Sequence, residues 1–474
     1  MAVSSRLNWI SYYWTGTCGE AEKGGMAFIN VNSIAKLRSL TFESFSLNGA
    51  DNSHVITADP APNLPEVRFA VDQWLDLDYD GRIDIDDGEH RWPTSYVRGT
   101  VPEVTLEFKI EGDTSANVHV RGKGVVDFVE VGTSYSGADG TKKITLIGDL
   151  DSGKGRFVNT IRYLKDNQFT WEYRIGDTGN WKLLGNTYND IYVTLGAPQI
   201  DPVYHTVIHI GTVQADGETT ENQAMKKIWN YFSGRSVQSV DEKNSLGRRP
   251  SAPLTYWGNW ITAPITTDTV SLLKAYDGRC GSWARFLLDV LKAQGIDPGK
   301  PAAISSVPLV ASNKVYLLIT PIDGADKRLV INNWWKTAGP QLLPGETAKI
   351  KFASSADPTG HDATQSKYDL DPSTELDDFQ GLRGQNNPNP KSTFLDHAIV
   401  RLYIDGTWKW LDPSYGQEYE GATDELKKND FESKALFGIG TLYGDDVSGR
   451  GFDVKRQDPN KREIIITPKD ENEG

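Results

Sequence analysis

The chain has 474 residues, of which 38% are hydrophobic and 24% charged, and a formal net charge of −14. That length implies about two to four domains with sizeable cores, and the acidic balance leaves no basic face for nucleic acid or an anionic membrane. Two cysteines, Cys18 and Cys280, make no disulfide framework and are expected as free thiols, and no membrane-length apolar run or signal-peptide core occurs. A cytoplasmic chain, or one whose leader has been removed, is expected.

Residues 1–205 read as β-rich, one large domain or two small ones. The segments 104–110, 117–121, 143–147 and 169–175 alternate apolar and polar residues between Gly, Asp and Asn clusters, the pattern of a sandwich. One motif stands out here. Asp76, Asp78, Asp80, Asp84 and Asp87 fall at positions 1, 3, 5, 9 and 12 of a loop with Gly81 at position 6. The backbone carbonyl of Arg82, at position 7, adds another hard oxygen. A structural calcium ion is expected on this dockerin-like loop, the plain alternative being a solvated acidic turn. No organic cofactor is expected. His205 and His209 are read as sharing one face of a strand, packed rather than metal-bound.

The second region, 206–420, brings helical periodicity. Thr220-Glu221-Asn222-Gln223 has the form of a capping box before Met225, Ile228, Trp229 and Phe232. A shorter helical run spans 270–276. Then Asp277-Gly278-Arg279-Cys280-Gly281-Ser282-Trp283-Ala284 sets a glycine-flanked thiol at the start of an amphipathic helix carrying Phe286, Leu287, Val290 and Leu291. Unpaired N–H groups and the helix dipole favour a thiolate there, although a lone cysteine can equally be a small buried hydrophobe. Segments 315–320 and 328–331 read as a strand pair joined through Asp323-Gly324. Between 339 and 392 the sequence is rich in Pro, Gly, Asp and Asn, an insertion expected to border the active-site cleft.

A hairpin follows. His397 begins a strand ending at Ile404, Asp405-Gly406 is a two-residue turn signal, and Thr407–Asp412 returns. That turn pairs Ile404 with Thr407, Tyr403 with Trp408, Arg401 with Trp410 and Ile399 with Asp412. His397 and Asp412 then become diagonal neighbours on one face, about 7–8 Å apart and within reach of a hydrogen bond. Shifting the register by one residue would separate them. Residues 421–474 read as a C-terminal extension with a possible edge strand at 463–467 and a polar tail.

A thiol, an imidazole and a carboxylate are the parts of an acyl-transfer site. The segment Gly278-Arg279-Cys280-Gly281-Ser282-Trp283-Ala284, followed in order by His397, Trp408 and Asp412-Pro413, resembles the transglutaminase-like superfamily, over about residues 255–420. The Cys280 helix is also similar to that of peptide N-glycanases, though the paired zinc cysteines usual there are missing. The resemblance implies an α+β chain in which sandwich-like β domains precede a papain-like catalytic domain, with Cys280, His397 and Asp412 as the triad. It implies that Cys280 attacks an amide or peptide carbonyl of a protein, peptide or glycoprotein substrate. Hydrolysis, as in a cysteine protease or amidase, is favoured, with protein cross-linking as the alternative. The Cys280 backbone N–H, aided by the indole N–H of Trp257 or Trp260, is the candidate oxyanion hole. From a different class, the chain could be a protein- or glycan-binding module with a vestigial triad.

Overall fold

A computed structural model describes residues 34–43, 53–69, 73–80, 82–83, 89–111, 114–137, 140–244, 247–258, 267–299, 314–322, 327–331, 345, 347–351, 382–388, 390, 393–443, 451–458, 461 and 463–469. Helix and strand are mixed, with strand predominant. Cys18, Trp260, Asp84, Asp87, Asp323-Gly324 and most of the 339–392 segment lie outside the described residues.

The alternating segments build two antiparallel-rich sheets. In the first, β1 (Ile34–Glu43) lies beside β2 (Glu103–Glu111), which in turn pairs with β5 (Gly140–Ile147); the short strands Trp74–Leu75 and His90–Arg91 continue from β1. In the second, β3 (Thr114–Lys123) joins β4 (Phe128–Gly137) to the long pair β6 (Arg162–Ile175) and β7 (Lys182–Thr194). Along β2 burial alternates residue by residue, so Val104, Leu106, Phe108 and Ile110 face one way. They share a core with Val118, Val120, Phe169 and Trp171 of the second sheet. The alternation read from the sequence is this inward face.

Four helices carry the chain to the thiol: α1 (His205–Gln214), α2 (Glu221–Ser233), α3 (Thr269–Ala275) and α4 (Cys280–Ala293). The α1 helix corrects the reading of His205 and His209 as strand residues. Two residues four apart share a face in either element, so their pairing alone could not tell helix from strand. Thr220 caps α2 through the N–H of Gln223, at 3.4 Å. The sequence pattern gave α4 one apolar face, but eleven of its residues are buried, leaving a stripe of Arg285, Asp289 and Lys292. A helix apolar nearly all round is a core helix, and α4 packs against α1, α3 and the hairpin strand that bears His397.

Two further sheets complete this layer. β8 (Tyr316–Pro321) lies beside β10 (His397–Ile404), which pairs with β11 (Thr407–Asp412). β9 (Lys327–Ile331) belongs to the other sheet, with β12 (Leu436–Tyr443) and β13 (Gly451–Arg456). The expected pairing of 315–320 with 328–331 is therefore wrong: each strand finds longer partners in a different sheet. The β10–β11 register is the expected one, with Ile404 opposite Thr407, Tyr403 opposite Trp408 and Arg401 opposite Trp410; the ladder ends at Val400 opposite Leu411, one pair short of Ile399 and Asp412. Asp405 and Gly406 both take left-handed φ, 53° and 77°, as a tight turn matched to strand twist requires.

Residues after 420, read as an extension, belong to these layers. Helix α5 (Asp424–Lys434) buries Phe431, and β14 (Ile464–Lys469) forms the edge strand beside β8. The edge strand expected at 463–467 is therefore present, whereas the apolar positions of α5 are few and widely spaced, so its role is legible only in three dimensions.

Candidate active site

The hairpin turn delivers His397 and Asp412 to each other. His397 Nε2 lies 2.7 Å from Asp412 Oδ2, and both side chains are fully buried. Asp412 is further satisfied by the N–H groups of Ser414 and Tyr415 on Oδ1, at 3.1 and 3.3 Å, and by the Tyr419 hydroxyl, which donates to Oδ2 at 3.1 Å. A buried carboxylate with four donors incurs little of the usual desolvation penalty.

Rings exclude water from the pair. Phe394, Tyr415 and Phe431 sit 5.9, 5.4 and 6.2 Å from the His397 ring, and Tyr419 meets Phe431 edge-on at 5.0 Å. Burial alone would lower the His397 pKa. The charge and hydrogen bond of Asp412, with a smaller effect of the Cys280 thiol, reverse this and push it up from 6.5 to about 10.

Cys280, 7% exposed, is the first residue of α4. It acts on the charge of His397, yet His397 Nδ1 makes no hydrogen bond. The influence of the thiol on His397 is partly that of a hydrogen bond and partly that of its charge, so the two side chains are neighbours, although no contact at Nδ1 meets hydrogen-bond geometry. Gly281 makes the approach possible. A Cβ there would stand 2.7 Å from Thr267 Cβ and 3.0 Å from the Tyr316 hydroxyl. Tyr316 and Tyr256 both have raised pKa values, from burial first and, among further causes, from the charge of Cys280, so the thiol acts on two buried, neutral phenols.

Trp257 is buried in the same wall. Its backbone N–H donates to Gly278 O at 3.2 Å, its ring lies 6.2 Å from Phe394, and the Arg279 guanidinium covers it at 5.0 Å. Of the expected insertion, residues 382–388 border this site. Gln385 Nε2 donates to Phe232 O and Pro413 O at 2.6 and 2.8 Å, its N–H donates to Ser414 O, and Asn387 Nδ2 donates to the carbonyls of Tyr256 and Trp257. Two amides thereby tie the turn after Asp412 to the wall behind Cys280. Sequence reasoning missed Gln385, Asn387, Tyr256, Tyr316 and Tyr419; only the run Gln385-Asn386-Asn387, three amides where a loop needs none, carried a signal.

In the first sheet Asp76, Asp78 and Asp80 bring carboxylate oxygens within 4.8 Å of one another. Asp76 Oδ1 accepts from the Tyr79 N–H, Asp80 Oδ1 from the Arg82 N–H, and Glu89 Oε1 closes the loop by accepting from Leu77 and Asp78. An all-oxygen donor set of this kind fits a hard cation.

No known protein family and no curated protein sequence matches the chain.

Because the folded pKa of His397 lies above the unfolded value of about 6.5, the ion pair's stabilisation is fully present below that value and is lost as pH rises through about 10. The unfolding free energy of the wild type is therefore expected to exceed that of Asp412→Asn by at least about 1 kcal/mol more at pH 6 than at pH 10.5. Urea denaturation at both pH values measures this, and a gap that does not narrow contradicts it.

Proposed function

We propose that the chain is a thiol-dependent acyl-transfer enzyme of the transglutaminase-like superfamily, with a papain-like catalytic domain. The observation that carries the reading is the His397 ring itself: Nε2 is held by Asp412 at 2.7 Å, Nδ1 has no hydrogen-bond partner, and the Cys280 thiol at a helix start acts on the same imidazole. In this reading Cys280 Sγ attacks the carbonyl carbon of an amide or peptide bond. His397, already charged beside the thiolate, delivers its proton from Nδ1 to the leaving nitrogen, and the C–N bond breaks to leave an acyl-enzyme. His397 then takes a proton from water, whose oxygen attacks the thioester, and Cys280 departs as thiolate. Asp412 keeps the ring oriented through both steps. The backbone N–H of Cys280 and the indole of Trp257 are the proposed donors to the developing oxyanion.

Protein or peptide substrates are proposed because the reacting bond is an amide. In a fluorogenic peptide assay Cys280→Ala and His397→Ala are expected to lower kcat/KM roughly a thousandfold or more, and Asp412→Asn to lower kcat with KM little changed. Cleavage that survives in Cys280→Ala would rule the reading out, and incorporation of a labelled amine in place of hydrolysis would move it to cross-linking.

We also propose a structural calcium ion held by Asp76, Asp78 and Asp80, the Arg82 carbonyl, Asp84 and Asp87. Its support is the convergence of the first three carboxylates around Glu89-tied backbone. Calcium added after chelation is expected to raise Tm by several degrees in the wild type and not in Asp78→Ala/Asp80→Ala. The same Tm with and without calcium in the wild type would dispose of the site.

A further inference from the structure

A cavity of about 710 Å³ lies away from the triad, where the second sheet of the sandwich meets α1. Its volume is that of a small-molecule site. One wall is β7, where Tyr188, Asp190 and Tyr192 project on one face at every second position. The neighbouring strand is bent to match. Pairing of β6 with β7 is interrupted between Leu164 and Asn167, and Asp166 takes φ 47°. This bulge turns both Lys165 and Asp166 into the cavity lining, as bulges beside functional sites do.

Behind the wall is a chain of buried polar groups that the thiol site does not use. Glu242 Oε1 is 3.0 Å from His205 Nδ1, His205 Nε2 is 3.0 Å from the Tyr192 hydroxyl, and that hydroxyl is 3.0 Å from His209 Nδ1. The chain fixes the His209 ring and leaves Nε2 for the cavity that the ring lines. Burial, then His205 and Lys165, lowers the His209 pKa to about 4, so the ring is neutral near pH 7.

The charged groups of the lining balance in sign, with Arg82, Arg91 and Lys165 against Asp166, Asp190 and Asp241. Arg91 binds Asp166 at 2.6 Å, Asp190 accepts from the Tyr163 hydroxyl and the Asp166 N–H, and Asp241 binds Arg248. An ionic ligand of either sign would find no net opposite charge in this lining, and a hydrocarbon would strand its polar groups. The remaining class is an uncharged molecule with many hydroxyls and a flat apolar face. Tyr188, 39% exposed although aromatic, offers its ring at the opening, and the stacked pair Tyr163–Tyr192 lies deeper, with ring centroids 4.8 Å apart. We propose that this cavity binds a neutral oligosaccharide, with the Tyr188 ring against a sugar face and Asp190, Lys165 and His209 bonded to its hydroxyls.

The test is isothermal titration calorimetry of the full chain with cellotriose, maltotriose and tri-N-acetylchitotriose, and with inorganic phosphate and adenosine monophosphate as charged probes. At least one trisaccharide is expected to bind with a Kd at or below the millimolar range. Tyr188→Ala and Lys165→Ala, both at exposed positions, are expected to weaken it tenfold or more while the melting curve stays unchanged. Blocking Cys280 with iodoacetamide is expected to leave the affinity unaltered, which separates this site from the thiol site. The proposal is overturned if no trisaccharide binds at 10 millimolar, if both variants bind as the wild type does, or if only the charged probes bind and Lys165→Ala abolishes their binding.

Discussion

Everything at the thiol site hangs on one contact, the hydrogen bond from His397 to Asp412 inside a ring of aromatic side chains. Buried charge is tolerated only when it is paired and hydrogen-bonded, and breaking such a pair from one side is far more costly than never building it. The fold supplies that pairing locally. A two-residue turn fixes the register, the register puts both groups on one face, and the residues just past Asp412 return their N–H groups to its second oxygen. The rest of the layer closes over this hairpin: α5 brings Phe431, and Tyr419 donates the last hydrogen bond.

The thiol reaches the same point from the other side. Helix α4 is buried almost all round, so its position is set by packing and not by its half-buried polar stripe. Gly281 lets its first turn press against Tyr316 and Thr267, and the amides of Gln385 and Asn387 brace the two halves of the site by satisfying backbone carbonyls on each. A segment that reads as loop from its composition thus acts as a strut. The sandwich carries none of Cys280, His397 and Asp412, but its β6–β7 pair forms one wall of the cavity beside α1, so the two cores meet across a polar network and not only through apolar contact.

How much of this the sequence discloses depends on whether the signal is local. The hairpin is legible because Asp405-Gly406 and a period of two determine its geometry within sixteen residues, from His397 to Asp412. The sandwich strands are legible for the same reason. What escapes is non-local: β8 and β9 look like partners by proximity, yet lie in different sheets; α5 is so polar that nothing marks Phe431 as the lid over His397; and His205 and His209 fit a strand as well as a helix. Tyr256 and Tyr316 are two tyrosines among nineteen, and only the fold tells which two feel the charge of the thiol.

The most direct measurement is the rate of Cys280 alkylation by iodoacetamide as a function of pH, read by mass spectrometry with Cys18 as the internal reference. If Cys280 and His397 share an ion pair ordered by Asp412, the reaction stays fast well below pH 8.5, the ordinary thiol range, and is slowed at neutral pH by His397→Ala and by Asp412→Asn. A Cys280 that titrates like Cys18 and ignores both substitutions would contradict the account.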